Sequence, residues 1–105
     1  MNVCTFTGFV VDAPELSVED GVSVVEFTLV SYTYRRSKAT GEKTRIPTYI
    51  NLEAWHTGAE TIEKLVSKGT KMTVYCSARN ETLHDGTIGV IFRVNEFDIC
   101  QPEKD

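Results

Sequence analysis

The side chains of this chain that could act on a partner are rings and cations, and they are gathered in one stretch. Tyr32, Tyr34, Tyr49 and Trp55 supply the rings, and Arg35, Arg36, Lys38, Lys43 and Arg45 lie among them with one acid, Glu42. Five cations against one acid give positions 35–45 a local charge of about plus four at neutral pH. Rings offer flat faces for stacking, and mobile cations offer contacts to phosphate. Together they suit the bases and backbone of an unpaired nucleic-acid strand. Lys71 and Arg79 are further phosphate candidates outside the stretch, and Arg93 reads as a surface residue. Three features oppose this. The cations could be an ordinary solvated hairpin tip, and Trp55 could cover a helix end or an interface. Glu53 shares a strand face with Tyr49 and Trp55 and would repel phosphate unless Arg79 or another cation pairs with it.

No other chemistry is visible. Lys43-Thr44 after Gly41 lacks the Gly-Lys-Ser/Thr run and the following helix of a phosphate loop. His56 and His84 have no carboxylate, serine or cysteine partner at a useful spacing. Cys4, Cys76 and Cys100 are odd in number and share no metal-ligand spacing, so they read as small buried hydrophobes of a reducing compartment. The sequence therefore predicts no enzyme, no metal, no cofactor and no small-molecule substrate.

The elements that must position these residues follow from periodicity. Val22–Arg35 and Arg45–Trp55 read as two long strands joined by a basic loop, Arg36–Thr44. Val25, Phe27 and Leu29 alternate on one side of the first, with Tyr32 and Tyr34 on the other unless a bulge before Arg35 swaps them. Ile50, Leu52 and Ala54 alternate with Tyr49, Asn51, Glu53 and Trp55 on the second. If the aliphatic residues point inward, Tyr49 and Trp55 point outward and are free to stack.

Residues 2–11 predict an earlier strand, with Gly8 marking a bulge or sharp bend. Pro14 forbids ladder pairing and opens a turn, and Glu19-Asp20-Gly21 is a second turn signal. Thr57 and Glu60 have capping-box spacing. Ile62, Leu65 and Val66 sit at helical spacing, and Gly69 follows as a C-terminal cap, which predicts a helix over Ala59–Lys68. In the next strand Met72, Val74, Cys76 and Ala78 alternate with Thr73, Tyr75, Ser77 and Arg79; after the turn His84-Asp85-Gly86, Thr87–Ile99 is the last. Periodicity alone gives a small mainly-β domain. Five strands with one helix between the third and fourth is the order of an OB-fold, a five-stranded Greek-key barrel.

At 105 residues the chain predicts one domain over 1–100 and a short polar tail over 101–105. Its hydrophobic fraction of 41% and charged fraction of 25% are those of an ordinary soluble domain. No apolar run approaches the ~20 residues that span a bilayer, and the N-terminus lacks the pattern of a secretory signal. The net charge of −4 opposes a polyanion partner. The acids, however, cluster at Asp12, Glu15, Glu19 and Asp20 and at Glu96, Asp98, Glu103 and Asp105, away from the cationic loop, and salt limits a charge's reach to roughly 8–10 Å.

Met1-Asn2-Val3, Gly8, Pro14-Glu15, Phe27-Thr28-Leu29, the loop Lys38-Ala39-Thr40-Gly41-Glu42 and the segment Leu65-Val66-Ser67-Lys68-Gly69 resemble bacterial- and phage-type single-stranded DNA-binding proteins. The resemblance covers Met1 to about Ile99. It implies base stacking at Tyr49 and Trp55, which fall where the family carries aromatics. Arg35 stands where the family usually has a tryptophan, with Tyr34 beside it; Ile50 replaces a histidine, and Leu83 lies near the place of a distal tryptophan. The family's acidic C-terminal tail with its hydrophobic tip is missing, as expected of a short, phage-borne relative or a trimmed chain. The resemblance further implies a cytoplasmic protein, associated with the nucleoid or carried in a phage host, that protects DNA in replication, repair and recombination. It also implies a homo-oligomer, a dimer or a tetramer built from dimers that pair first strands; the sequence offers Val3–Val10 as an unprotected edge. The competing expectation is an OB-fold assembly module whose ligand is a protein, favoured by the net acidity, Glu53 and the missing distal tryptophan.

Overall fold

The computed structural model describes residues 1–100, and the tail predicted over 101–105 lies outside them. Its centre is a hairpin of β3 (Val22–Arg36) and β4 (Lys43–Trp55), in continuous antiparallel register from Val24↔Trp55 to Arg36↔Lys43. Val25, Phe27, Leu29, Ile50, Leu52 and Ala54 are all buried, as the two-residue period requires. The strands run further than the sequence suggests, leaving a connection of only Ser37–Glu42. The Ser37 N–H donates to the Glu42 carbonyl and the Gly41 N–H to the Ser37 carbonyl, both at 2.8 Å. Arg36 and Lys43 therefore sit on strand ends, not in the loop. No bulge interrupts β3 before Arg35, so Tyr32 and Tyr34 stay on the outer face.

The other strands are β1 (Cys4–Val10), β2 (Glu15–Glu19), β5 (Lys71–Thr82) and β6 (Ile88–Ile99). They lie in the order β1-β5-β6-β4-β3-β2, and a further pairing of Phe9 with Val30 and Val10 with Leu29 joins β1 to β3 and closes the barrel. Gly8 makes this closure possible. It is buried, and a Cβ there would lie 2.4 Å from the Val30 carbonyl oxygen, so only a residue without a side chain lets β1 approach β3.

The strand β2 corrects the expectation that residues 12–21 only turn. Pro14 itself stays out of the ladder, but Glu15–Glu19 pair along β3 from Glu15↔Glu26 to Glu19↔Val22. Asp20 (φ 51°) and Gly21 (φ 79°) then form a tight turn with both central residues left-handed, the geometry that fits strand twist. Counted as one interrupted strand, β1 and β2 make the barrel five-stranded, with its helix between the third and fourth barrel strands. This is the OB-fold.

The helix α1 (His56–Leu65) begins three residues earlier than expected. Trp55, in extended conformation, is its N-cap with no side-chain hydrogen bond, so the Thr57–Glu60 capping box does not form. Glu60 instead accepts from Ser23 Oγ at 3.0 Å. Ala59, Ile62 and Val66 are buried against the barrel, whereas Leu65 is exposed. Gly69 (φ 89°) lies beyond the helix, where its N–H donates to the Val10 carbonyl at 2.8 Å and ties the turn to β1. Met72, Val74 and Cys76 complete the core. Cys76 faces Cys4 across β1 and β5, and burial, with Cys4 adding, pushes its thiol up to about 11.

Candidate nucleic-acid interface

The outer face of β3 and β4 carries paired rows: Val24 beside Trp55, Glu26 beside Glu53, Thr28 beside Asn51, Val30 beside Tyr49, Tyr32 beside Pro47 and Tyr34 beside Arg45. Towards the hairpin tip these rows become aromatic and cationic. Tyr49 is 63% exposed and Tyr34 59%. Lys43 Nζ stands 4.3 Å from the centre of the Tyr34 ring, and the Arg45 guanidinium carbon 4.1 Å from that of Tyr32, which is half-buried. Each such contact is worth about 0.5–1 kcal/mol at an exposed site and holds a long side chain near the ring. Arg35, Arg36 and Lys38 are exposed, and none of the five hairpin cations forms an ion pair among the described residues. The rings share this end of the outer face with Arg36, Lys43 and Arg45, whereas Arg35, opposite Thr44, has the other parity of β3 and Lys38 lies in the connection.

The opposite end differs. Trp55 is half-buried, its indole Nε1 is buried without a hydrogen-bond partner among the described residues, and the Arg93 guanidinium carbon lies 5.0 Å from its ring centre. The ring is therefore not free in the way the alternation of β4 suggests, because β6 brings Arg93 over it. Glu53 is only 9% exposed and accepts from Arg93 Nε at 3.0 Å. The cation that neutralises Glu53 is Arg93, not Arg79, and Arg93 is more than a surface residue. Arg79 is exposed on β5 opposite Ile91. Lys71, at the start of β5, lies opposite Phe9, with its Nζ 5.9 Å from the Phe9 ring centre. Neither joins the hairpin cluster directly.

An open groove of about 960 Å³ borders this end of the face, and its acidic lining residues are Asp12, Glu15, Glu19, Glu26 and Glu81. The Glu26 carboxyl is raised above its ordinary value by partial burial, then by the charges of Glu81, Glu53 and Glu19. The face is polarised, with rings and cations at the tip and carboxylates at the base. Sequence reasoning missed three parts of it: Phe9, Arg93 and the convergence of the acids. Only Phe9 left a signal, because Thr5, Thr7 and Phe9 share the outward parity of β1. Among the described residues no cluster of His, Cys, Asp or Glu is placed to hold a metal, and no helix is long and apolar enough to cross a membrane.

A small closed barrel with one helix between its third and fourth strands is an OB-fold. The chain matches the sequence model of the Single-strand binding protein family over residues 1–99 and belongs to that family. None of the curated proteins matches it significantly by sequence. Among solved structures it is similar to a deletion mutant of the single-stranded DNA binding protein from Thermus aquaticus, with a TM-score of 0.83 and 16% identity over 96% of this chain and 51% of that one. The wild-type Thermus aquaticus protein gives 0.81 and 16% over 96% and 50%. The Plasmodium falciparum SSB in complex with ssDNA gives 0.76 and 20% over 94% and 92%. The chain spans about half the length of the two Thermus chains. At these identities the likeness is one of fold.

Proposed function

We propose that the chain binds single-stranded DNA without sequence preference, stacking bases on Tyr49, Tyr34 and Tyr32 and holding phosphates with Arg35, Arg36, Lys38, Lys43 and Arg45. The observation that carries this reading is the meeting of exposed rings and unpaired cations on the outer face of the β3–β4 tip. Trp55, held under Arg93 at the acidic end, lies off this platform, and Lys71 and Arg79 are outlying phosphate contacts. The protein acts by binding, without catalysis, to protect unwound strands during replication, repair or recombination in the cytoplasm. It works as a homo-oligomer. The unpaired side of β1 over Cys4–Gly8, opposite β5, supports pairing between copies. The test is anisotropy of labelled oligo-dT titrated at several salt concentrations. With about four phosphates neutralised, log affinity should fall against log salt with a slope near −3. A slope near zero, or no binding at low salt, overturns the reading. The acidic groove favours one competitor, an assembly module with a basic protein ligand, and absent DNA binding would leave that one standing.

A further inference from the structure

We propose that the bound strand leaves the hairpin over Phe9 and continues towards Lys71 on the β1–β5 face, turning away from the groove at the base of β3 and β4. This rests on the reading that the chain binds single-stranded DNA, and it names a stacking residue and a route that the hairpin alone does not supply.

The close approach at Gly8 sets the geometry. With β1 held against β3, Phe9 pairs with Val30, which pairs in turn with Tyr49 on β4. Phe9, Val30 and Tyr49 thus form one row across three strands, with Tyr32 and Pro47 in the next row towards the tip. Phe9 remains 41% exposed in this position, although a phenylalanine gains nothing from water. Its ring centre lies 6.5 Å from that of Tyr32 at a 47° tilt, so the two rings are neighbours. The cations continue the series. Lys43 stands over Tyr34, Arg45 over Tyr32 and Lys71 over Phe9, which makes a track of rings, each with its own positive charge. Backbone phosphates following the bases would meet a cation at every ring.

The other exit from the hairpin is closed by charge. A strand continuing along β3 towards Glu26 enters the groove lined by Asp12, Glu15, Glu19, Glu26 and Glu81, with no lysine or arginine among the described residues that line it. Of the cations nearby, Arg93 is already engaged by Glu53 and Trp55, and Arg79, two residues from Glu81 on β5, is outnumbered by the five carboxylates. Phosphates brought among these carboxylates meet like charge inside a cleft, where the field is concentrated. The cationic track is the route left open.

Two variants and one mapping experiment test this. Phe9→Ala removes the ring, and Phe9→Leu removes it while keeping apolar cover over the β1–β3 junction. Both are compared with the unaltered protein in affinity for oligo-dT, alongside their melting temperatures. Photocrosslinking with oligonucleotides carrying 5-iododeoxyuridine, followed by peptide mapping, then locates the strand. The expected result is a loss of roughly 5- to 150-fold in affinity for both variants, with Phe9→Leu melting like the unaltered protein, and a crosslink at Phe9. Unchanged affinity in Phe9→Leu, or crosslinks confined to residues 12–19 and 81–91, overturns the route while leaving DNA binding intact. Failure of the unaltered protein to bind oligo-dT removes the underlying reading as well, so the two failures are told apart.

Discussion

Among the described residues Glu53 is the one charged side chain counted as buried, and its stability contribution depends on Arg93. The carboxylate is paired across the ladder with Glu26 on one side and accepts from Arg93 Nε at 3.0 Å on the other. At an effective dielectric constant of about 20, opposite unit charges at that separation attract by roughly 5 kcal/mol. The dehydration of Glu53 and the restraint of an arginine whose side chain is still 35% exposed offset nearly all of this, leaving a net gain of about 1 kcal/mol or less. Removing only the cation is worse than removing the pair. Arg93→Met strands Glu53 beside Glu26 and should cost about 2–4 kcal/mol, which in a domain of this size lowers the melting temperature by roughly 10–25 °C. The double variant Glu53→Gln/Arg93→Met should return to within about 1 kcal/mol of the unaltered protein. Urea unfolding of the four proteins completes the cycle. In the Arg93→Met protein the indole of Trp55 loses its cover, so its native-state emission should shift to the red. If the two single substitutions add to the double within about 0.5 kcal/mol, the pair is not coupled and the argument fails.

Two further outcomes follow from the same barrel. Gly8→Ala places a methyl group 2.4 Å from the Val30 oxygen, and because both partners are backbone the strands must part. The expected cost is about 2–3 kcal/mol, or roughly 10–20 °C in a thermal melt, and a melting temperature within about 3 °C of the unaltered protein would refute the close approach. Glu26, raised above its ordinary 4.5, keeps its proton in the folded state at a pH where the unfolded chain has lost it. Its stabilising effect is therefore complete below the ordinary value and is lost as pH rises through the raised one. Glu26→Gln should raise the melting temperature at pH 8 and leave it unchanged at pH 4; an equal gain at both would show that charge is not the cause.

Much of the barrel was legible in the sequence because its strands obey a two-residue period. Val25, Phe27, Leu29, Ile50, Leu52, Ala54, Met72, Val74 and Cys76 alternate cleanly and are all buried. The strand β2 was not legible, because Glu15–Glu19 is exposed throughout and exists only by pairing with β3. The helix start was misplaced because His56 takes a left-handed φ of 61° directly after the last residue of β4, a junction that tertiary packing imposes against local preference. Within the site, the rings and cations near the hairpin could be read from their crowding in sequence. The Glu53–Arg93 pair could not, since the two lie 40 residues apart and meet only through a brief parallel contact of β4 with β6. The acidic groove was hidden for the same reason. Asp12, Glu15 and Glu19 are near neighbours in sequence, but Glu26 and Glu81 reach them only through the fold.

The barrel is also uneven in its joints. Its wall consists of two broad plates, β2–β3–β4 and β1–β5–β6, each laced by long ladders. The plates touch along two short sutures, Phe9 and Val10 against Val30 and Leu29, and Leu52 and Glu53 against Phe92 and Arg93. Short ladders are the first to part when a protein breathes. Phe9 and Tyr32 sit on either side of the first suture, and Arg93 and Trp55 straddle the second. A ligand resting on both members of the first pair would act as a rivet, so that occupancy and the mechanical integrity of the barrel would rise and fall together.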